Sequence, residues 1–180
     1  MKSYPIPFPK GTEYKEIKNK LGKDKPLGYG FLSHERFLST KYAKDLSVKI
    51  GTHVLAIEDG VVVSMKNDSD TYMNPKIHPR YKVLFEDESI KPLAIEVIEK
   101  LDNELMEFAG KYTNYVQVNQ VDGSIAEYLH LDKNVQVDAK QKIMQGDVIG
   151  FVGMTGITTR PHLHLNIFEN LSIPFELRER

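Results

Sequence analysis

From Pro161 onward the chain alternates, His162-Leu163-His164-Leu165-Asn166-Ile167. That two-residue period is the signature of a strand. Side chains in a strand point to opposite faces in turn, so His162 and His164 share one face and Leu163, Leu165 and Ile167 share the other. The same period recurs through much of the chain. Lys41 to Val48 reads as a short strand closed by a turn at Ile50-Gly51-Thr52. Val54–Ile57 and Gly60–Ser64 read as two strands joined in a hairpin at Glu58-Asp59-Gly60. A second hairpin is expected at Asp122-Gly123, between Asn114–Asn119 and Ser124–Leu131, because glycine accepts the positive φ of a tight turn. Tyr128 and His130 are expected on one face of that hairpin and Leu129 and Leu131 on the other. Val148–Val152 precedes the histidine strand.

Two segments break the pattern. Residues 66–88 are polar and predict a loop with a short strand near Tyr81–Phe85. Residues 90–109 change to a helical period, with Leu93, Val97, Leu101, Leu105 and Phe108 on one stripe and Glu and Lys between them. Ser89 suits the N-cap, Pro92 the first turn and Gly110 the end, giving an insert at about 89–110. Residues 1–30, rich in Pro, Lys and Gly, read as an extended arm lying on the domain formed by 31–180. Many short strands with glycine turns predict a mainly β fold, an antiparallel barrel or sandwich with one inserted α-helix.

Composition narrows the chemistry. Net charge is −1 without a basic block, so nothing suggests a nucleic-acid surface. No apolar run is long enough to span a bilayer, and Met1–Pro9 has no signal-peptide hydrophobic region. There is no cysteine, so disulfides and thiolate ligands are excluded and any metal must be held by His, Asp or Glu. Two imidazoles on one rigid strand face suit a metal site, where one binds the ion and its neighbour works on what the ion holds. The plainer alternative is two partly exposed histidines on a sheet.

Four ordered segments resemble the lysostaphin-type zinc metalloendopeptidases, which have the duplicated hybrid motif fold. They are Ser33-His34 with Tyr42-Ala43-Lys44-Asp45, then Gly51-Thr52-His53-Val54-Leu55-Ala56-Ile57-Glu58-Asp59-Gly60-Val61-Val62. Asp122-Gly123 through Tyr128-Leu129-His130-Leu131 follows. The last is Gly146–Gly150 through Thr155-Gly156 and Pro161-His162-Leu163-His164. The resemblance runs from about residue 33 to 168, interrupted by the helical insert. It implies a barrel-sandwich and one Zn²⁺ held by His34, Asp45 and His164, with His130 and His162 as the further active-site histidines. The chain departs from the family pattern in three ways. Ten residues separate His34 from Asp45, His53 stands where proline is usual, and Arg160 stands where glycine is usual. His53 and His78 read as surface or structural residues.

The resemblance thus implies a zinc endopeptidase acting on short peptide links of the peptidoglycan cross-bridge or stem-peptide kind, placed in the cell envelope or secreted. The alternative is a non-catalytic zinc-binding or protein-binding module on the same fold. A carrier module lacks a suitable hairpin lysine, and a histidine phosphotransfer module would have no need of Asp45. The oligomeric state and compartment are left open by the residues themselves.

Overall fold

The computed structural model describes residues 1–17, 39–82 and 95–179. In chain order the strands and helix are β1 (Lys2–Pro5), β2 (Lys15–Glu16), β3 (Lys44–Ser47), β4 (His53–Leu55), β5 (Gly60–Lys66), β6 (Tyr72–Met73) and α1 (Ile95–Tyr112). There follow β7 (Tyr115–Gln120), β8 (Ile125–Leu129), β9 (Lys142–Ile143), β10 (Val148–Phe151), β11 (Gly156–Ile157), β12 (His162–Phe168) and β13 (Phe175–Arg178).

The main sheet has seven strands in the order β2-β3-β12-β8-β7-β5-β9, each neighbouring pair antiparallel. Three two-stranded pairs surround it: β10 with β4 is antiparallel, while β1 with β13 and β11 with β6 are parallel. The expectation of a mainly β protein with one helix therefore holds. Among the described residues the sheets do not close into a barrel, and the two parallel pairs depart from a purely antiparallel scheme.

The core explains why β12 lies inside the sheet. Leu163, Leu165 and Ile167 are fully buried, with Leu46, Val62, Val116, Val118, Ala126 and Tyr128 from neighbouring strands. Removing a side chain of that size from water contributes about 1.5–3 kcal/mol. Val54, Ala56, Ile57, Ile149 and Val152 cover the cluster from the β4–β10 side. The N-terminal segment belongs to this core: Tyr4, Ile6 and Phe8 are buried in it, Ile6 N–H donates to Arg178 O, and Leu55 N–H donates to Pro7 O, both at 2.9 Å. Pro5 and Pro7 between them are buried as well, so the whole stretch Tyr4–Phe8 packs into the fold.

The two Asp-Gly turns behave differently. Asp122-Gly123 closes the expected β7–β8 hairpin, with Gly123 at φ 83° and Gln120 N–H donating 2.8 Å to Ser124 O. Asp59-Gly60 does not close a hairpin, because β4 pairs with β10 and β5 pairs with β7 and β9. Gly60 is needed for close approach instead: a Cβ there would collide with Asn119 O and lie 2.7 Å from Val118 Cγ1.

Among the described residues the helix is present as Ile95–Tyr112, and it ends later than expected. It runs through Gly110 to Tyr112, so that glycine does not end it. Leu101 and Leu105 are buried against Met73, Tyr81, Phe108 and Ile157, whereas Val97 is 43% exposed. Arg80 fixes the helix from outside with two hydrogen bonds to the Glu104 carboxylate, 2.8 and 2.7 Å. Leu93, Ser89 and Pro92 lie outside the described residues, as does 83–85 of the expected short strand. Tyr81 itself sits in a turn, and the strand of this segment is Tyr72–Met73.

Candidate metal and catalytic centre

β12 carries the centre on the face opposite the core. The period-two pattern puts His162, His164 and Asn166 there, and all three are buried. β3 runs beside it with Leu163 facing Leu46 and His164 facing Asp45. Leu46 anchors β3 in the core, which turns Asp45 toward the histidines. The result is a hydrogen-bond distance of 3.0 Å between His164 Nδ1 and Asp45 Oδ1. His162 Nε2 lies 3.6 Å from the same oxygen.

His130 comes to this cluster from the end of β8. Its φ of 63° is left-handed, which breaks the strand alternation after Leu129. Tyr128 therefore points into the core, where its hydroxyl oxygen accepts Ile57 N–H at 3.1 Å, while the His130 ring packs beside His162. The expectation that Tyr128 and His130 share a face fails for that reason. The His130 ring centroid lies 4.6 Å from that of His162 and 6.2 Å from that of His164, edge-on to the latter.

The partners of the rings fix their protons. His130 Nδ1 lies 2.8 Å from Thr155 O and His162 Nδ1 lies 2.8 Å from Arg160 O. A carbonyl oxygen only accepts, so each Nδ1 carries the hydrogen, and a ring that is neutral carries none on Nε2. Thr158 Oγ1, which donates to Arg160 O at 2.7 Å, also sits 3.1 Å from His162 Nδ1. Burial first, then the neighbouring His162 and His164, pull His130 down to a pKa of about 3, so its imidazole is neutral at ordinary pH.

Asn166 has a supporting place that its sequence context did not signal. Its Nδ2 donates 2.8 Å to Ser39 O, and its Oδ1 accepts Ser172 Oγ–H at 2.9 Å. Ser172 Oγ in turn accepts Tyr42 N–H at 3.0 Å. The segment leading into Asp45 is thereby tied to the histidine strand.

Zinc fits the donors that are described. Two atoms sharing a tetrahedral Zn²⁺ at its usual bond lengths stand roughly 3.3 Å apart. The 3.0 Å between His164 Nδ1 and Asp45 Oδ1 is close to that, and imidazole with carboxylate is a donor set that zinc takes. Among the described residues no group of three or more His, Cys, Asp or Glu forms a complete metal cluster. His34, the third expected ligand, lies outside the described residues. His53 and His78 stand apart from the centre: His53 packs on Phe151, and His78 Nδ1 accepts Arg80 N–H at 3.3 Å beside the Tyr81 ring. Among the described residues no helix is long and apolar enough to cross a membrane.

Residues 97–173 match the family model described as peptidase family M23. Peptidoglycan DD-endopeptidase ShyA of Vibrio cholerae is 30% identical over 123 residues, covering 68% of this chain and 19% of that protein. DD-carboxypeptidase/endopeptidase Mpg of Neisseria meningitidis is 44% identical over 55 residues, covering 31% of this chain and 12% of that protein. The matches thus span less than a fifth of the length of these curated relatives. The catalytic domain of the prophage-encoded M23 protein EnpA from Enterococcus faecalis is similar in fold. Its TM-score is 0.51 at 14% identity, over 93% of this chain and 92% of that one.

Proposed function

This chain belongs to the M23 peptidases of lysostaphin type, and from that footing we propose that it is a zinc-dependent endopeptidase that hydrolyses short peptide links of peptidoglycan. The observation that carries the proposal is the convergence of Asp45 and His164 beside two histidines whose Nδ1 atoms are already engaged by backbone carbonyls. His34, Asp45 and His164 are the proposed ligands. Zinc so bound supplies a polarised carbonyl and a water acidic enough to be deprotonated near neutrality.

The side chains do the rest. With Nδ1–H held by Thr155 O, His130 presents Nε2 as a proton acceptor. His162, held in the same tautomer by Arg160 O, can take up a proton at Nε2 and, once so charged, deliver it to the leaving amine or steady the developing oxyanion. Asn166 and Ser172 hold the chain entering β3, so that Asp45 stays in register with His164. The peptidoglycan substrate in the name of the ShyA relative favours the same class of bond, and with it an envelope or secreted setting.

The test pairs metal content with hydrolysis. Protein purified without chelator is measured by emission spectrometry and incubated with purified peptidoglycan and with glycine-rich and stem-type peptides. One zinc per chain and chelator-sensitive release of new amino termini are expected. Firmly held zinc with no cleavage of any wall peptide would replace the enzyme reading by that of a binding module.

A further inference from the structure

Resting on the reading of His130 as the proton acceptor, we propose that Thr155 and Asn114 are positioning residues that fix the tautomer and direction of its ring. The His130 backbone is in a left-handed conformation, strained for a non-glycine residue, so neighbours must hold it. The turn at 153–155 grips it twice. Gly153 N–H donates 3.0 Å to His130 O, and Thr155 O accepts the ring Nδ1–H at 2.8 Å.

The position of that Thr155 carbonyl is fixed in turn by its own side chain. Thr155 Oγ1 donates to Leu131 O and accepts Asn114 N–H, both at 2.9 Å, and it is buried. Asn114 is completely buried. Its amide clamps Ser69 from both sides, accepting Ser69 N–H at 3.1 Å and donating to Ser69 O at 2.7 Å. Leu131 N–H closes the loop on Asn114 O at 3.3 Å. Asn114 Oδ1, Asn114 Nδ2, Thr155 Oγ1 and His130 Nδ1 are thus each engaged. A buried network satisfied in this way has one arrangement, and losing one member leaves its neighbours without partners.

The geometry has a specific consequence. Only a carbonyl aimed at Nδ1 forces the hydrogen onto that nitrogen and leaves Nε2 bare toward His162 and His164. Moving the Thr155 carbonyl would release the ring to the other tautomer, which has no proton acceptor facing the centre. An enzyme's outer supporting contacts of this kind are worth about 10–100-fold.

Nitrogen-15 NMR of the His130 side chain reads the tautomer directly, without any need for activity. Wild type is expected to show the Nδ1–H form with a slowly exchanging ring proton. Thr155→Val is expected to show a mixture of tautomers, unchanged zinc content, and a kcat lower by about 10–100-fold with KM little altered. Thr155→Ser, which keeps the hydroxyl, should restore both readouts. A wild-type ring in the Nε2–H form would overturn the proposal. So would a Thr155→Val protein with the wild-type tautomer, or equal losses in the serine and valine variants. If Thr155→Val does not fold, Thr155→Ala takes its place under the same criteria. A wild type that never cleaves peptide would remove the enzymatic reading, while the tautomer comparison would still decide the role of Thr155.

Discussion

Asp45 and His164 face each other across the β3–β12 pairing, and their Oδ1 and Nδ1 atoms are 3.0 Å apart. If both are ligands, Asp45→Ala and His164→Ala should each lose zinc and activity together. His162→Ala should keep the metal, since its Nε2 is further from the Asp45 oxygen and its Nδ1 is occupied by Arg160 O. Its activity should fall by about 10²–10⁴-fold, the range for a lost general acid or base. Equal zinc loss in the His162 and His164 variants would refute this division of labour.

The helix should respond unevenly along its stripe. Leu105 is 2% exposed, so Leu105→Ala is expected to destabilise the fold by about 2–5 kcal/mol in urea unfolding. Val97 is 43% exposed, and Val97→Ala should lie within about 0.5 kcal/mol of wild type. Similar losses at the two positions would mean that the docked face has been assigned wrongly.

Two glycines should respond in opposite directions to alanine. A Cβ at Gly60 meets Val118 and the Asn119 carbonyl, so Gly60→Ala should cost about 1–3 kcal/mol. Gly110 sits inside α1 with nothing within 4 Å of an added Cβ. Gly110→Ala should stabilise by about 0.5–1 kcal/mol. Thermal denaturation of both variants checks the pair, and a stabilised Gly60→Ala would contradict the close β5–β7 approach.

Acid should loosen the tie between the first strand and the β7–β8 turn. Burial works against ionisation of Asp122, but hydrogen bonds from Ser124, Tyr4 and Lys2 prevail and hold its carboxyl at about 2. The folded pKa is below the ordinary 3.8, so this contribution is present above that value and lost as pH falls from 3.8 toward 2. Asp122→Asn should therefore lose less stability than wild type between pH 5 and pH 2. Parallel acid curves for the two proteins would show that Asp122 is not responsible.

The parts legible in the sequence were those with a local signature. Alternation located β12, and Asp122-Gly123 located the β7–β8 hairpin. Asp59-Gly60 carries the same dipeptide, but its glycine answers to a strand nearly sixty residues away, which no local pattern encodes. The end of the helix was placed too early because Gly110 looked like a stop, although packing of Leu105 and Phe108 carries the helix past it. That His130, His162, His164 and Asp45 lie together was expected from the motifs. The places of Asn114, Thr155 and Asn166 were not, because their bonds run through backbone atoms of residues distant in the chain.

β12 is hydrogen-bonded to a neighbour on both edges and buried on both faces. A slip of one residue would exchange the histidines for Leu163 and Leu165, so no small adjustment of this strand is available. In hydrogen-exchange terms, its central amides should open only when the whole domain opens. The proposed centre is therefore as durable as the fold itself.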